Sequence, residues 1–65
     1  MKITVNSERH EVAGETLASV LDELGYAGAV VATAVNGSFV PIKLRQNTPL
    51  KSGDAIEVLA PMQGG

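Results

Sequence analysis

The sequence predicts an α+β fold in which a mixed sheet of about five strands packs around a single helix. Segments in which polar and apolar residues alternate, as in strands, lie before and after one segment with helical periodicity. Short turn signals join neighbouring strands. The 65 residues leave room for only one small core. Because a single apolar helix stripe needs a sheet face to cover it, these observations favour one sheet and one helix over a bundle or a sandwich.

The chain opens with a predicted hairpin followed by the helix. Residues 2–5 alternate polar and apolar side chains, residues 6–8 are turn formers, and residues 9–12 read as the returning strand. Thr16 is the expected N-cap, and Gly25 follows the last apolar turn. The helix stripe between them has the spacing i, i+3, i+4 and i+7: Leu17, Val20, Leu21 and Leu24.

A second hairpin and a final strand complete the order. Residues 30–35 predict a strand buried on both faces, and Asn36-Gly37 indicates a type I′ turn into residues 38–40. Pro41 cannot donate to a ladder and favours an edge position.

Residues 46–50 look irregular, residues 51–54 form a turn, and Ile56 and Val58 point inward from the last strand. With the first and last strands adjacent in the middle, this is the β-grasp arrangement. We expect one β-grasp domain over residues 1–59 and a flexible C-terminal tail over residues 60–65.

Composition excludes several functions. Without Cys the chain has no disulfide, thiol nucleophile or thiolate metal site. A net charge of −2, scattered basic residues and 3% aromatics argue against nucleic acid as a partner. Neither a membrane span nor a secretory signal is visible, so we expect a cytoplasmic protein with no membrane partner.

Candidate catalytic groups have simpler interpretations. His10 is the single histidine and fits a strand surface better than a catalytic base or a metal site. Asp22 and Glu23 fit a solvated helix face, and Ser19 lacks the sequence context of a phosphopantetheine attachment site. We therefore expect no catalytic residue, no bound metal and no cofactor held by the chain itself.

The C-terminus offers different chemistry. Gly64 and Gly65 combine free backbone rotation, no Cβ to block a narrow channel, and a terminal carboxylate. At about 3.3 Å per residue, an extended segment 60–65 would reach about 20 Å, enough to enter a partner's active site. The plain alternative is a fraying chain end.

Three motifs carry a family resemblance: Val-Asn-Gly-Ser-Phe-Val-Pro over residues 35–41, Leu-Lys-Ser-Gly-Asp over residues 50–54 and Ala-Pro-Met-Gln-Gly-Gly over residues 60–65. They closely resemble the thiamine-biosynthesis sulfur carriers, the ubiquitin-like ThiS family. The resemblance covers essentially the whole chain. The stretch at residues 42–45 departs from it, because the family is commonly more polar there.

The resemblance implies that Gly65 is adenylated by a ubiquitin-activating-like adenylyltransferase using Mg-ATP. A cysteine-persulfide sulfur donor would then convert the adenylate to a thiocarboxylate, which supplies thiazole synthase. Gly64, Gln63 and Met62 would enter the partner's active site. The chain would be a carrier and co-substrate rather than an enzyme.

Partner docking is expected beside the tail. Leu59 has opposite parity to Val58 and should project outward, and with Phe39 and Met62 it could form an exposed apolar patch. Phe39 in the core is an equally good interpretation. The remaining alternatives for the protein are a molybdopterin-type sulfur carrier, a ubiquitin-like modifier joined to lysines, and an interaction module whose terminus does no chemistry.

Overall fold

The computed structural model describes residues 1–60, which form a mixed five-stranded sheet, an α-helix and a 3-10 helix. The spatial order of the strands is β2-β1-β5-β3-β4, with β1 and β5 parallel and the other pairs antiparallel. This confirms the predicted β-grasp architecture, including the central pair of first and last strands. The elements in chain order are β1 (Lys2–Val5), β2 (Glu8–Glu11), α1 (Leu17–Glu23), β3 (Ala32–Val35), β4 (Ser38–Val40), the 3-10 helix η1 (Ile42–Asn47) and β5 (Ala55–Leu59).

The first hairpin turn is tighter than predicted. Asn6 and Ser7 alone form it, with φ of 51° and 72°, and β2 begins at Glu8 instead of residue 9. Two central residues with positive φ form a turn whose backbone twist matches the twist of the flanking strands.

Helix α1 begins at Leu17, directly after its N-cap Thr16, as predicted. The Thr16 hydroxyl accepts the Ser19 N–H at 3.2 Å, and the Thr16 N–H donates to Ser19 Oγ at 3.1 Å, forming a capping box. Leu24 is the C-cap, and Gly25 follows with φ of 94°, as expected for a left-handed C′ residue.

The loop before α1 is fastened to the helix by Glu23. Its carboxylate accepts the N–H groups of Ala13 and Gly14 at 2.9 Å each, and these bonds lower the pKa of Glu23. A Cβ at Gly14 would lie 2.6 Å from Ser19 Oγ, so the loop packs closely on the capping box. Asp22 and Glu23 are both exposed, which confirms the predicted solvated helix face, and the Glu23 carboxylate has the additional role of holding the loop.

The second hairpin corrects a prediction about burial. Strand β3 begins at Ala32 rather than residue 30, Val30 is 77% exposed, and Ala32 also faces solvent. The reason is that the one α-helix of residues 1–60 covers a single face of the sheet. The turn itself is as predicted, with φ of 49° at Asn36 and 84° at Gly37, and β4 is an edge strand.

Residues 42–47, part of which we expected to be irregular, form the 3-10 helix η1 after Pro41. Arg45 attaches this helix to β3. Its Nη2 donates to the Val31 carbonyl at 2.6 Å, and its Nε donates to Thr33 Oγ1 at 3.1 Å. The Thr33 hydroxyl in turn donates to the Val40 carbonyl, which explains how this polar side chain can be only 2% exposed.

The core lies between the inner sheet face and α1. Ile56 and Val58 point into it from β5, as their alternation predicts. The buried apolar residues are Ile3, Val5, Val12, Leu17, Val20, Leu21, Val31, Val40, Leu50, Ile56 and Val58.

Candidate functional site: the end of the last strand

Strand β5 leads directly into the segment that the sequence analysis singled out. Leu59 ends the strand, and Ala60 follows it without regular secondary structure. The predicted site residues Met62, Gln63, Gly64 and Gly65 lie outside the described residues, so their roles stay predictions. The described part of the chain shows what holds and surrounds the strand that precedes them.

The Asn6 side chain binds β5 near its end. The last backbone bond between β1 and β5 on this side runs from the Asn6 N–H to the Ile56 carbonyl at 2.9 Å. Beyond it, Asn6 Oδ1 accepts the Val58 N–H at 2.9 Å, and Asn6 Nδ2 donates to the Val58 carbonyl at 3.0 Å. The amide therefore acts as one further rung of the ladder after the backbone has turned away.

The start of β5 is held in a similar way by Asn36. Asn36 Oδ1 accepts the Ala55 N–H at 2.9 Å, and Asn36 Nδ2 donates to Asp54 Oδ1 at 3.0 Å. Asp54 Oδ2 also accepts the Lys51 N–H at 2.9 Å. The first residues of both hairpin turns thus clamp opposite ends of the same strand.

The outer face of the β5, β3 and β4 part of the sheet is apolar. The strand register places Ala32 opposite Leu59 and Ala34 opposite Phe39, all on the face away from α1. Leu59 is 67% exposed, as its parity predicts, and Phe39 is 69% exposed, which decides between the two interpretations of Phe39. The two alanines between them leave a shallow trough.

The trough is continued by residues outside the strands. Val30 lies beside Leu59, and Ile42 of η1 lies beside Phe39, so that Ala32 forms a common floor. We call Val30, Ala32, Phe39, Ile42 and Leu59 the outer patch. It ends at Leu59, the residue from which the chain leaves the sheet.

The other half of the outer face is charged and polar. Lys2 is opposite Glu11, and Thr4 is opposite Arg9, all on the outward side because Ile3 and Val5 point inward. Glu57, exposed on β5, lies between this half and the outer patch. The sheet face is thus divided into an apolar and a charged part, and only the apolar part adjoins the end of β5.

The other sequence candidates lie elsewhere. His10 lies on edge strand β2, with Nε2 3.9 Å from the exposed Glu8 carboxylate, and Ser19 belongs to the capping box. Among residues 1–60, no three side chains suited to metal ligation lie together, and no helix is long and apolar enough to cross a membrane. The expectations of no metal and no cofactor on the chain stay predictions.

Sequence reasoning missed both asparagine clamps and the role of Arg45. The turn signals at Asn6 and Asn36 were visible, but the 52-residue separation between Asn6 and Val58 left no local trace. A polar residue at the first position of a positive-φ turn beside a central strand is the signal that could have pointed to them.

The architecture defines a β-grasp, ubiquitin-like domain whose central last strand ends at Leu59, in an exposed apolar patch. A model of the ThiS family matches residues 3–65, so the chain belongs to the ThiS family.

Relatives agree with this placement. The sulfur carrier protein ThiS of Thermus thermophilus is 38% identical over 64 residues, covering 97% of this chain and 98% of that protein. The crystal structure of the thiamine biosynthesis protein ThiS from Geobacter metallireducens is similar over 100% of both chains, with a TM-score of 0.84 and 33% identity. A solution structure of a thiamine biosynthesis protein from the same organism gives a TM-score of 0.78 at 32% identity, covering 100% of this chain and 88% of that one.

Proposed function

We propose that this chain is the sulfur carrier of thiamine biosynthesis and that it carries sulfur on the carboxylate of Gly65. The observation that supports this most is the family match, which extends through residue 65 and so includes Gly64 and Gly65. In this role the chain is a co-substrate consumed and regenerated by its partners rather than an enzyme.

The chemistry follows from the properties of a carboxylate. An α-carboxyl group has a pKa of roughly 3.5, so at neutral pH it is an ionised, poor electrophile. In the proposed first step a Gly65 oxygen attacks the α-phosphorus of Mg-ATP on an adenylyltransferase, and pyrophosphate leaves. The resulting acyl adenylate has AMP as a good leaving group. Mg-ATP is bound by the partner and not by this chain.

Sulfur enters in the second step. The outer sulfur of a cysteine persulfide on a donor protein attacks the Gly65 carbonyl carbon, and AMP leaves. A second thiol then cleaves the acyl disulfide, which releases the thiocarboxylate and forms a disulfide on the protein side. The thiocarboxylate supplies thiazole synthase. Because the activation consumes ATP and free thiols, we assign the process to the cytoplasm.

The outer patch is proposed as the surface on which the partners dock. Leu59 and Phe39 are exposed and apolar, and Leu59 is the last residue of β5, as a docking surface for enzymes acting on Gly65 requires. Docking there would place residues 60–65 next to the partner, while Met62, Gln63 and Gly64 lead Gly65 into its active site.

The test is intact-mass analysis after incubation with the cognate adenylyltransferase, Mg-ATP and a persulfide donor. We expect the mass to rise by the difference between one sulfur and one oxygen, with fragmentation locating the change on Gly65. Omitting ATP should abolish the gain, and so should deleting Gly65 or adding a residue after it.

Other outcomes would overturn the proposal. Conjugates joined to lysines through an isopeptide bond, with no thiocarboxylate, would make the chain a ubiquitin-like modifier. A thiocarboxylate that supplies a molybdopterin precursor but not thiazole synthase would identify the molybdopterin-type carrier. No mass change under any condition would leave an interaction module.

A further inference from the structure

We infer that Asn6 is a positioning residue, whose side-chain amide fixes the point at which the chain leaves the sheet for the partner's active site. The inference rests on the proposed function, because it concerns the presentation of the C-terminal segment. Its basis is the pair of hydrogen bonds from Asn6 Oδ1 and Nδ2 to the Val58 N–H and carbonyl.

The geometry leaves this position to a side chain. Backbone N–H and C=O groups of successive strand residues point to opposite edges of the strand. Glu57 and Leu59 therefore face β3, where they pair with Ala34 and Ala32, while Ile56 and Val58 face β1. Strand β1 ends at Val5, one rung too early to reach Val58.

The turn conformation supplies the missing rung. Asn6 has φ of 51°, a left-handed conformation in which Asn is among the most tolerated residues after Gly. In this conformation the backbone turns towards β2 while the side chain continues along β5. Val58 is thus bound on the β1 side by the Asn6 side chain, while Leu59 pairs with Ala32 on the β3 side.

The consequence concerns the end of the last strand. With Asn6 in place, β5 is held on both edges up to its final residues, so a partner that docks on the outer patch meets a strand end already in position. Without the amide, Val58 loses its lateral bonds on one edge and the strand end can separate from β1. Ordering it again at each docking event costs conformational entropy, and Leu59 of the outer patch would move with it.

Asn36 offers a matched control. It has the same residue type, a φ of 49°, and two side-chain bonds that hold the opposite end of β5. Asn6→Gly and Asn36→Gly each keep a residue that tolerates positive φ and each remove one amide clamp. A purely structural role predicts similar behaviour of the two variants, whereas a positioning role predicts that they differ in activation.

The experiment measures ATP–pyrophosphate exchange by the cognate adenylyltransferase against carrier concentration, with amide hydrogen exchange on the free proteins. For Asn6→Gly we expect KM to rise by about tenfold, equivalent to about 1.4 kcal/mol, with kcat kept within about twofold. The Val58 amide should lose protection in this variant, while the Ile3 amide is protected as before. Asn36→Gly should leave KM within about twofold of wild type when both variants are folded at the assay temperature.

The outcomes separate the two claims. Equal KM values for the two variants, or an unchanged Val58 amide in Asn6→Gly, would overturn the positioning role. Absence of ATP–pyrophosphate exchange with the wild-type chain would instead count against the proposed function. The amide hydrogen-exchange comparison would still decide whether Asn6 holds the strand end. If Asn6→Gly fails to fold, Asn6→Asp keeps an acceptor for the Val58 N–H, removes the donor to the Val58 carbonyl and places a negatively charged oxygen there. It should then show an intermediate loss of Val58 protection and a smaller KM increase, and no change in either would again overturn the role.

Discussion

At the scale of single residues, three non-glycine positions with positive φ determine how the hairpins close. Asn6 and Asn36 suit this conformation and use their side chains to bind β5. Ser7 has φ of 72° and is exposed, so its left-handed backbone has a cost that a glycine would avoid. The first turn is therefore a place where the sequence does not give the most stable choice.

Replacing Ser7 by glycine should stabilise the protein. We expect Ser7→Gly to raise the free energy of unfolding by about 0.5 to 1 kcal/mol, because relief of left-handed strain exceeds the added entropy of the unfolded chain. Urea unfolding followed by circular dichroism measures this. Ser38→Gly, in strand β4, should lower stability by about 0.5 to 1 kcal/mol. A Ser7→Gly variant no more stable than wild type would show that the turn is unstrained.

At the scale of elements, β5 is the strand on which the fold depends. It lies between β1 and β3, its inward residues are core, and asparagines from two different turns bind its ends. Asp54, which is only 5% exposed, stabilises the turn before β5 by accepting hydrogen bonds from the Lys51 N–H and from Asn36 Nδ2. The turn before β5 is thus built around a buried carboxylate.

This carboxylate makes stability depend on pH. The Lys51 N–H, and after it the Asn36 amide, hold the pKa of Asp54 below its ordinary value of 3.8. A carboxyl group with a lower pKa in the folded state stabilises the protein above its unfolded pKa, and this contribution is lost as pH falls through the folded pKa. We expect the free energy of unfolding to be constant from about pH 7 to pH 5 and to fall below about pH 4.

Asp54→Asn tests the assignment. The variant should be less stable than wild type by about 1 to 3 kcal/mol at pH 7 and should lose less of its stability on acidification. Urea denaturation at a series of pH values gives both quantities. Asp22→Asn, on the exposed face of α1, is the control and should keep the wild-type profile. If Asp54→Asn loses as much unfolding free energy at low pH as wild type does, that loss comes from Glu11 and Glu23, whose pKa values are also lowered.

At the scale of the whole molecule, the two faces of the sheet have different roles. The inner face packs on α1 and forms the core, and half of the outer face presents the outer patch to solvent. A chain of 65 residues that leaves Phe39, Leu59 and Ile42 exposed gives up apolar burial that a small domain could use. We propose that this exposed apolar surface is an interaction site.

Leu59→Asp tests the patch. Because Leu59 is 67% exposed, the substitution should change the free energy of unfolding by less than about 0.5 kcal/mol. If the patch docks the adenylyltransferase, kcat/KM for carrier activation should fall at least about tenfold, since a charge would be placed in an apolar interface. Leu44→Asp, on exposed η1 and outside the patch, should have little effect. A folded Leu59→Asp carrier that is activated normally would contradict docking at this surface.

The elements predicted well were those with local signals. Thr16 and Gly25 delimit α1 because capping depends on residues within one turn, and Asn36-Gly37 closes a hairpin because its φ requirements are local. The error at Val30 and the missed η1 have another origin. Burial of residues 30–35 depends on which sheet face the helix covers, and short 3-10 segments have weak sequence patterns.

The sequence by itself determined the β-grasp order, the apolar positions of α1 and β5, and the family resemblance that singles out Gly64 and Gly65, because periodicity and motifs are written in neighbouring residues. Only the tertiary structure decided that Phe39 is exposed and joins Leu59 in one patch. It also decided that Asn6 binds Val58, 52 residues away. These contacts depend on strand order and register, which bring distant residues together and leave no periodic trace in the chain.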